Sequence, residues 1–226
     1  MLNQDWLKLA QQHRAIAVIR ASDWLVGYQM AKAVAAGGMK LIEITWNSDR
    51  PGDLVERLRA DLPMCHIGVG TVLEREHLLQ AIAAGAEFCF TPHTSLDLLH
   101  LALDRGIAMI PGALTPTEIV TAWQAGAASV KVFPIQSVGG AMYIKNLQAP
   151  LGSIPLIPTG GVTPENAQSF IEAGAIAVGL SGQLFPKQAI ALGDWESVTR
   201  QAEMLMQIRD AINRVCTRDI CTFPGS

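Results

Sequence analysis

The sequence predicts an α/β fold, a (β/α)8 barrel of the TIM type with an extra helix at its N-terminus. The first observation is a local pattern: a helical segment ends in Ala-Gly and a short apolar strand follows, at Ala36-Gly37, Ala84-Gly85, Ala125-Gly126 and Ala173-Gly174, and more weakly at Arg105-Gly106. Glycine is the usual residue just past a helix end. The second observation is the period. Gly85, Gly106 and Gly126 lie about 20 residues apart, and the 48-residue gaps from 37 to 85 and from 126 to 174 each have room for two units. About eight units of strand and helix therefore fit, and eight such units close into a parallel barrel.

The predicted strands are short apolar runs, β-branched or alternating in polarity, and bounded by turn residues. Eight of them follow the period: Ala15–Ile19, Leu41–Thr45, Ile67–Gly70, Glu87–Phe90, Ala108–Ile110, Ser129–Phe133, Pro155–Pro158 and Ile176–Gly179. A leucine-rich repeat has a similar period, but its LxxLxL signature is absent. No linker or low-complexity segment interrupts the chain, so a single domain over residues 1–226 is the simplest organisation.

Helices are predicted between the strands from their start and stop signals. The extra helix covers Gln4–Gln12, and the last helix covers Trp195–Cys216 and leaves a loose tail over residues 217–226. Three starts combine an N-cap residue with an acidic residue or a proline at the expected spacing. They are Thr94 with Asp97, Thr115-Pro116-Thr117-Glu118, and Thr163-Pro164-Glu165-Asn166.

Composition excludes several classes of partner. Half of the residues are hydrophobic, 16% are charged and the net charge is −3, with no basic run that would favour nucleic acid. No apolar run approaches the ~20 residues that span a bilayer, and the first residues lack the pattern of a signal peptide. The four cysteines form no CxxC pair and the five histidines no HxH or HExxH motif. We therefore expect a cytoplasmic protein with reduced thiols and no metal site.

The strand Ser129–Phe133 carries a lysine in otherwise apolar surroundings. Alternation puts Val130 and Val132 on one face and Ser129, Lys131 and Phe133 on the other. Burying an ammonium costs several kcal/mol unless it is paired or deprotonated, and desolvation lowers the pKa of a lysine. A neutral amine can attack a carbonyl and form a Schiff base. The alternative is a lysine on an edge strand that reaches for water.

Glu43 is the second charged residue inside an apolar strand. Leu41, Glu43 and Thr45 share one face, and a carboxylate there must be paired or take part in chemistry. Barrel enzymes place catalytic groups at the carboxyl ends of strands, so Glu43 and Lys131 should point into one barrel mouth. In that mouth the amine would attack a ketone and the carboxylate would move protons. A structural ion pair is the alternative.

Other polar residues and glycines follow the predicted strands, and we count them as candidate substrate-binding positions. They are Arg20, Thr45, Thr71, Thr159, Gly160, Gly161, Ser181 and Gly182, whereas Pro92 at the end of strand 4 is expected to form a turn. The last five of these candidates lie after strands 7 and 8, where these barrels usually bind phosphate through backbone N–H groups. The sequence thus predicts a small anionic substrate.

Eight segments resemble the class I aldolases that cleave 2-keto-3-deoxy-6-phosphogluconate and 4-hydroxy-2-oxoglutarate. They run in order along nearly the whole chain: Ala17-Val18-Ile19-Arg20, Ile42-Glu43-Ile44-Thr45, Gly68-Val69-Gly70-Thr71-Val72-Leu73, Thr91-Pro92, Ile110-Pro111-Gly112, Val130-Lys131-Val132-Phe133-Pro134, Tyr143-Ile144-Lys145 and Pro158-Thr159-Gly160-Gly161-Val162. The segments GVGTVL, KVFP and PTGGV are together quite specific. The resemblance implies a barrel enzyme that is usually a homotrimer and needs no metal or other cofactor.

The resemblance also implies roles for individual residues. Lys131 would be the Schiff-base lysine and Glu43 the proton-transfer residue. Thr71 would contact the pyruvate carboxylate, while Pro92 and Phe133 would line the pocket. The phosphate end would be held by two loops, Gly160-Gly161 and Ser181-Gly182.

The chain departs from the family pattern at two positions. Many members have an arginine four residues after the glutamate, where this chain has Asn47; related 2-keto-3-deoxy-6-phosphogalactonate aldolases can also carry Asn-Ser there. Arg20 or Arg50 could supply the missing charge. Many members have a serine where this chain has Gly182, with Ser181 one position earlier. Both departures concern the choice of substrate more than the chemistry.

The predicted function is a Schiff-base aldolase. It would reversibly split 2-keto-3-deoxy-6-phosphogluconate into pyruvate and glyceraldehyde 3-phosphate, or 4-hydroxy-2-oxoglutarate into pyruvate and glyoxylate. A 2-keto-3-deoxy-6-phosphogalactonate aldolase is the alternative within the family. Outside the family, the sequence leaves open a different phosphate-binding barrel such as a thiamine phosphate synthase, a barrel that binds a sugar phosphate or a partner protein without catalysis, and a metal-dependent aldolase.

Overall fold

A computed structural model describes residues 1–218 of the chain. In this part the strands are β1 (Ala15–Ile19), β2 (Leu41–Thr45), β3 (His66–Gly70), β4 (Phe88–Phe90), β5 (Ala108–Ile110), β6 (Gly112–Ala113), β7 (Val130–Val132), β8 (Leu156–Pro158) and β9 (Val178–Leu180). The helices are α1 (Asn3–His13), α2 (Trp24–Ala36), α3 (Pro51–Asp61), α4 (Arg75–Ala83), α5 (Leu96–Asp104), α6 (Pro116–Gln124), α7 (Ala141–Leu151), α8 (Ala167–Glu172), α9 (Lys187–Leu192) and α10 (Trp195–Arg218). A single 3-10 turn covers Ile135–Val138.

The strands form a curled parallel sheet. Six of them pair in the order β5-β4-β3-β2-β1-β9, and the other three pair in the order β6-β7-β8. All of these pairs are parallel. Pro111 alone separates β5 from β6, and a parallel bridge joins Thr159 to Gly179 at the other side. The carboxyl ends of the strands therefore lie along one rim of the sheet.

Alternation along each strand produces two apolar layers. Ile42 and Ile44 of β2 and Val130 and Val132 of β7 lie in the larger core, which packs the sheet against the helices. Leu41 lies in a smaller core on the other face of the sheet, with residues such as Ile16, Phe88, Phe90 and Ile157. The predicted faces of these two strands are therefore confirmed: Glu43 and Lys131 point away from the helices, as Leu41 does.

Helix α1 covers the amino-terminal end of the curled sheet. Trp6 is fully buried, and its indole Nε1 donates a hydrogen bond to Ser129 Oγ at 2.9 Å. Its ring lies 4.8 Å from the ring of Phe88 and 5.6 Å from that of Phe90. The smaller core is thus closed at this end by α1, and the opposite rim is left for the polar residues that follow the strands.

Several helix boundaries differ from the prediction. Ser95, and not Thr94, is the N-cap of α5, because Thr94 Oγ1 donates to Gly112 O at 2.9 Å instead. The helix predicted to start at Thr163 begins only at Ala167, with Asn166 as its N-cap, and Thr163 and Asn166 exchange hydrogen bonds in the turn before it. The capping box of Thr115 with Glu118 is confirmed.

The C-terminal part can be compared with the prediction only as far as residue 218. Helix α10 continues through Thr217 to Arg218, two residues beyond the predicted end, and the rest of the expected loose tail lies outside the described residues. Cys221 also lies outside the described residues, whereas Cys65 and Cys89 are free and buried. Of the described helices, none combines the length and the apolarity that crossing a membrane requires.

Candidate active site

Glu43 lies in the middle of β2 with its side chain inside the curled sheet. Glu43 is 1% exposed, and its buried Oε1 atom has no hydrogen-bond partner among the described residues. Burial raises the pKa of this carboxyl, while the charges of Lys131 and Arg20 act in the opposite direction. A buried polar atom without a partner is uncommon in folded proteins and calls for a functional explanation.

Gly70 makes the space that Glu43 occupies. An ideal Cβ at this position would lie 1.6 Å from Glu43 Oε1 and 2.4 Å from Glu43 Cδ. Any larger residue would therefore displace the carboxylate. Gly68, two residues earlier in β3, is needed for another reason, since a Cβ there would lie 2.2 Å from the ring of Phe88.

Lys131 is the central residue of β7 and is 5% exposed. Its Nζ atom lies 5.0 Å from the ring centroid of Phe133 and 5.8 Å from that of Phe90. Aromatic faces attract a cation, so both rings favour positive charge at this nitrogen. Its charge also acts on the Glu43 carboxyl, which places the lysine and the glutamate in one buried compartment.

Arg20 and Thr71 meet at the carboxyl ends of β1 and β3. Arg20 Nη2 donates a hydrogen bond to Thr71 Oγ1 at 3.4 Å, and the charge of Arg20 also acts on Glu43. Thr71 has a φ of 58°, in the left-handed region that β-branched residues rarely adopt. Backbone strain of this kind persists where the surrounding structure enforces it, and it clusters at functional sites.

Pro92 and Phe133 lie on opposite sides of Lys131 in sequence and close to it in space. The backbone of Pro92 packs on Gly112. An ideal Cβ built on Gly112 would lie 2.4 Å from the carbonyl carbon of Pro92. Gly112 is the Cα partner of Lys131 in the sheet. The ring of Phe133 lies 3.1 Å from the position that a Cβ of Gly160 would take. Pro92 and Phe133 therefore flank the lysine.

The two glycine loops follow β8 and β9. Gly160 and Gly161 have φ values of 87° and 93°, which L side chains rarely adopt. Their loop is tied to the 3-10 turn after β7, because the Gln136 N–H donates to Gly160 O at 3.1 Å. Thr159 is buried just before this loop, whereas Ser181 and Gly182 are exposed after β9.

Three other residues considered for the site make contacts outside the compartment of Glu43 and Lys131. Thr45 is buried, and its Oγ1 is 3.2 Å from Ser48 Oγ, so its hydroxyl is committed to the structure of the β2–α3 loop. Asn47 is exposed and lines a cavity of about 640 Å³ between α3 and α4, together with Thr71. Arg50 stacks over Trp24 at 5.5 Å and pairs with Asp49. Of the two arginines considered for the missing charge, Arg20 is therefore the one that contacts Thr71 and acts on Glu43.

Some residues of this compartment were not among the predicted site residues. Phe90 and Gly70 were predicted only as the last residues of strands, and Gly70 also lies in one of the segments of the resemblance. The shared face of Phe88 and Phe90 in β4 is a signal that could have indicated an inward-facing ring. Cys89 points to the larger core and is fully buried. Within residues 1–218, no group of three or more His, Cys, Asp or Glu side chains is arranged to hold a metal ion.

Comparison with known proteins identifies relatives along most of the chain. The model of a family described as aldolase, KDPG and KHG aldolase, matches residues 7–201. KDPG abbreviates 2-keto-3-deoxy-6-phosphogluconate, and KHG is the hydroxyketoglutarate named above as 4-hydroxy-2-oxoglutarate. A 2-dehydro-3-deoxy-phosphogluconate aldolase of Pseudomonas aeruginosa is 33% identical over 195 residues, which make up 85% of this chain and 87% of that protein.

Solved structures agree with these matches. A KDPG aldolase from Legionella pneumophila, with pyruvate captured as a covalent carbinolamine intermediate, has a TM-score of 0.81 at 25% identity and covers 88% of this chain and 97% of its own. A native KDPGal structure has a TM-score of 0.79 at 31% identity, over 88% of this chain and 96% of its own. Fold and matches together define the class: the protein is an aldolase, a carbon–carbon lyase. Within that class, the chain belongs to the KDPG and KHG aldolase family.

Proposed function

We propose that this aldolase reversibly splits 2-keto-3-deoxy-6-phosphogluconate into pyruvate and glyceraldehyde 3-phosphate through a Schiff base on Lys131. The observation that carries the proposal is the compartment itself. A lysine and a glutamate are both almost fully buried inside the sheet, and the glutamate keeps an oxygen without a hydrogen-bond partner in the described chain. A structural ion pair would satisfy that oxygen, whereas a proton-transfer residue needs it for substrate.

Lys131 acts as the nucleophile in this proposal. As the neutral amine it attacks the C2 carbonyl of the substrate, and the carbinolamine then loses water to form a protonated imine. The imine nitrogen carries a positive charge at the position now occupied by Nζ. The rings of Phe90 and Phe133, 5.8 and 5.0 Å from that atom, favour the cation there. The protonated imine then withdraws electrons from the C3–C4 bond.

Glu43 moves the protons. Its carboxylate accepts the proton of the C4 hydroxyl, directly or through a water, as the C3–C4 bond breaks and the aldehyde leaves. The electron pair of that bond converts the imine into an enamine, which takes up a proton at C3, and hydrolysis releases pyruvate and the free lysine. Burial raises the pKa of Glu43 toward the working pH, where a group can both accept and return a proton.

The substrate carboxylate and the distal end have separate contacts in this proposal. Arg20 and Thr71 hold the carboxylate of the pyruvate part, so that Arg20 supplies the charge that Asn47 lacks. Pro92 and Phe133 line the middle of the pocket. The distal phosphate lies toward the loops of Thr159-Gly160-Gly161 and Ser181-Gly182, whose backbone N–H groups can donate to phosphate oxygens.

The aldehyde product is the point on which the family members differ. The family description includes KHG, and a KDPGal structure is 31% identical to this chain. Asn47-Ser48 also resembles the galactonate enzymes. We therefore expect activity on one or more of these three 2-keto acids, with pyruvate as the product in every case. Kinetics with all three substrates decides the preference.

Borohydride trapping with pyruvate tests the mechanism. Intact-mass analysis and peptide mapping should find a reduced pyruvyl adduct on Lys131, and Lys131→Arg should give none while keeping the fold. Glu43→Gln should still form some adduct, because the nucleophile is intact, but should lose most turnover. A folded wild-type protein that forms no adduct at high pyruvate would remove the basis of the proposal.

We also propose a closed (β/α)8 barrel in a single domain that assembles as a cytoplasmic homotrimer. The Thr159–Gly179 bridge and the continuity of β5 with β6 across Pro111 support closure. Exposed apolar residues near the cavity between α3 and α4, such as Leu73, support an assembly interface. Sedimentation equilibrium should give three times the chain mass of 24.2 kDa.

A further inference from the structure

A second cavity opens at the same rim, between α2 and α9. Its volume is about 330 Å³, and its lining includes Arg20, Ser181, Gly182 and Lys187. Val26 of α2 and Phe185 form part of its apolar wall. Arg20 follows β1 and Ser181 follows β9, and these two strands pair directly. The cavity is therefore next to the compartment of Glu43 and Lys131 and shares Arg20 with it.

The charge of this cavity is positive. Arg20 and Lys187 both line it, and no aspartate or glutamate is among its described lining residues. The larger cavity of about 640 Å³ between α3 and α4 has the opposite character, since Asp53 and Glu56 line it and no lysine or arginine of the described chain does. An anionic substrate end is attracted to the first cavity and repelled by the second.

The loop after β9 leaves room in the positive cavity. An ideal Cβ at Gly182 would find no atom within 4 Å. The chain thus lacks a side-chain hydroxyl at the position where resembling enzymes carry serine. Lys187 lies five residues later, at the start of α9, and is exposed. It lies outside every segment on which the resemblance to the aldolases rests.

We propose that Lys187 determines specificity for a phosphorylated substrate by binding the terminal phosphate in the cavity between α2 and α9. This inference rests on the proposed aldolase function and names the part of the substrate that its residues recognise. The ammonium of Lys187 donates charged hydrogen bonds to the phosphate oxygens that the missing serine would otherwise contact. Lys187 does not touch the reacting carbons, so it changes binding and leaves the chemical step alone.

Steady-state kinetics of four proteins tests the inference. Wild type, Lys187→Met and Lys187→Arg are compared with Lys8→Met, which removes another exposed lysine, from α1 at the opposite end of the sheet. Each is assayed with 2-keto-3-deoxy-6-phosphogluconate and with its unphosphorylated analogue, 2-keto-3-deoxygluconate. Inorganic phosphate is added as a competitive inhibitor.

Lys187→Met should raise KM for the phosphorylated substrate about tenfold. This factor corresponds to the low end of the binding free energy of a charged hydrogen bond, as expected at an exposed site. Its kcat should stay at the wild-type value, as should the kinetics of the unphosphorylated analogue. Inhibition by phosphate should weaken by a similar factor, and Lys187→Arg should restore it. Equal changes with both substrates, or no change in KM and phosphate inhibition, would overturn the inference.

The pyruvate adduct separates this inference from the proposed function. Lys187→Met should form the borohydride-trapped adduct on Lys131 as wild type does, because pyruvate has no phosphate. A missing adduct in wild type would contradict the proposed function itself. A normal adduct together with an unchanged KM in Lys187→Met would contradict only the role of Lys187.

Discussion

Replacing Gly70 with alanine tests whether the position of Glu43 sets the rate of the aldol step. Gly70 is the last residue of β3, and its φ is not in the left-handed region, so the backbone accepts alanine. The new Cβ would lie 1.6 Å from Glu43 Oε1 and 2.9 Å from Glu43 Cγ. Both atoms must therefore move, and the carboxylate oxygen must move farther.

The expected loss follows from this distance. Ordinary van der Waals contact begins at 3.4 Å, so Oε1 must retreat by about 2 Å. A misplacement of about 1 Å at a catalytic group can already cost about 100-fold in rate. We therefore expect kcat of Gly70→Ala to fall at least about 100-fold, or about 2.7 kcal/mol in the barrier. The fold should persist, because the displaced atoms are the end of a side chain.

A coupled assay of pyruvate release measures kcat, and thermal unfolding checks the fold. Gly52→Ala is the matched control: its new Cβ would lie 3.9 Å from Trp46 Cη2, an ordinary contact. Because alanine is preferred over glycine in helices, this variant should keep kcat and be equally or more stable. Wild-type kcat in Gly70→Ala would refute the argument that this carboxylate position is needed.

The same structure supports four more predictions. Burial raises the pKa of Glu43 above 4.5, so its contribution to stability is present below pH 4.5 and lost as the pH rises through the folded pKa; calorimetry should find Glu43→Gln more stable than wild type at pH 7 but not at pH 4. Burial and the charge of Arg209 lower the pKa of His13 to about 4, so stability is lost as the pH falls from 6.5 to about 4, and His13→Gln should flatten that part of the curve. Because Thr71 has a φ of 58°, Thr71→Gly should be more stable in urea unfolding than Thr71→Ala by about 1 kcal/mol, since glycine adopts this backbone conformation without strain. Gly182→Ser should leave the melting temperature unchanged and lower KM only for phosphorylated substrates, since its Cβ meets no atom within 4 Å.

Most of the fold was predicted from two features: the regular spacing of glycines after helices, and the alternation of side-chain faces along the strands. The eight predicted strands correspond to β1–β5 and β7–β9, whereas β6 was not predicted, and Glu43 and Lys131 lie on the predicted faces. These features depend on local geometry, because alternation in a strand assigns a face without knowledge of the partner strand. The boundaries were less predictable. Ser95 caps α5 because the hydroxyl of Thr94 finds Gly112 O, a partner that becomes available only when the strands are assembled.

Contacts between distant segments explain what the sequence did not decide about the site. Arg20 and Arg50 were equal candidates for the missing charge, and both follow a strand. In the folded chain Arg20 reaches Thr71, 51 residues away, while Arg50 stacks over Trp24 and pairs with Asp49. Nothing in their local sequence distinguishes these outcomes. The same holds for Lys187, whose local sequence has no sign of the cavity that it lines with Arg20.

Two features that cost stability lie close together, one inside the sheet and one at its carboxyl rim. Glu43 keeps a buried oxygen without a partner in the described chain, and Thr71 holds a left-handed backbone that β-branched residues avoid. Arg14 and Arg50 also have a positive φ, and four other buried side-chain atoms of the described chain lack a hydrogen-bond partner, so each feature carries weight here only because the two coincide. Natural proteins break local structural rules mainly where function requires it. Because Arg20 links both residues, through a hydrogen bond to Thr71 and its charge on Glu43, the strained loop and the buried carboxylate belong to one site. Relief of either should therefore raise stability and lower turnover together.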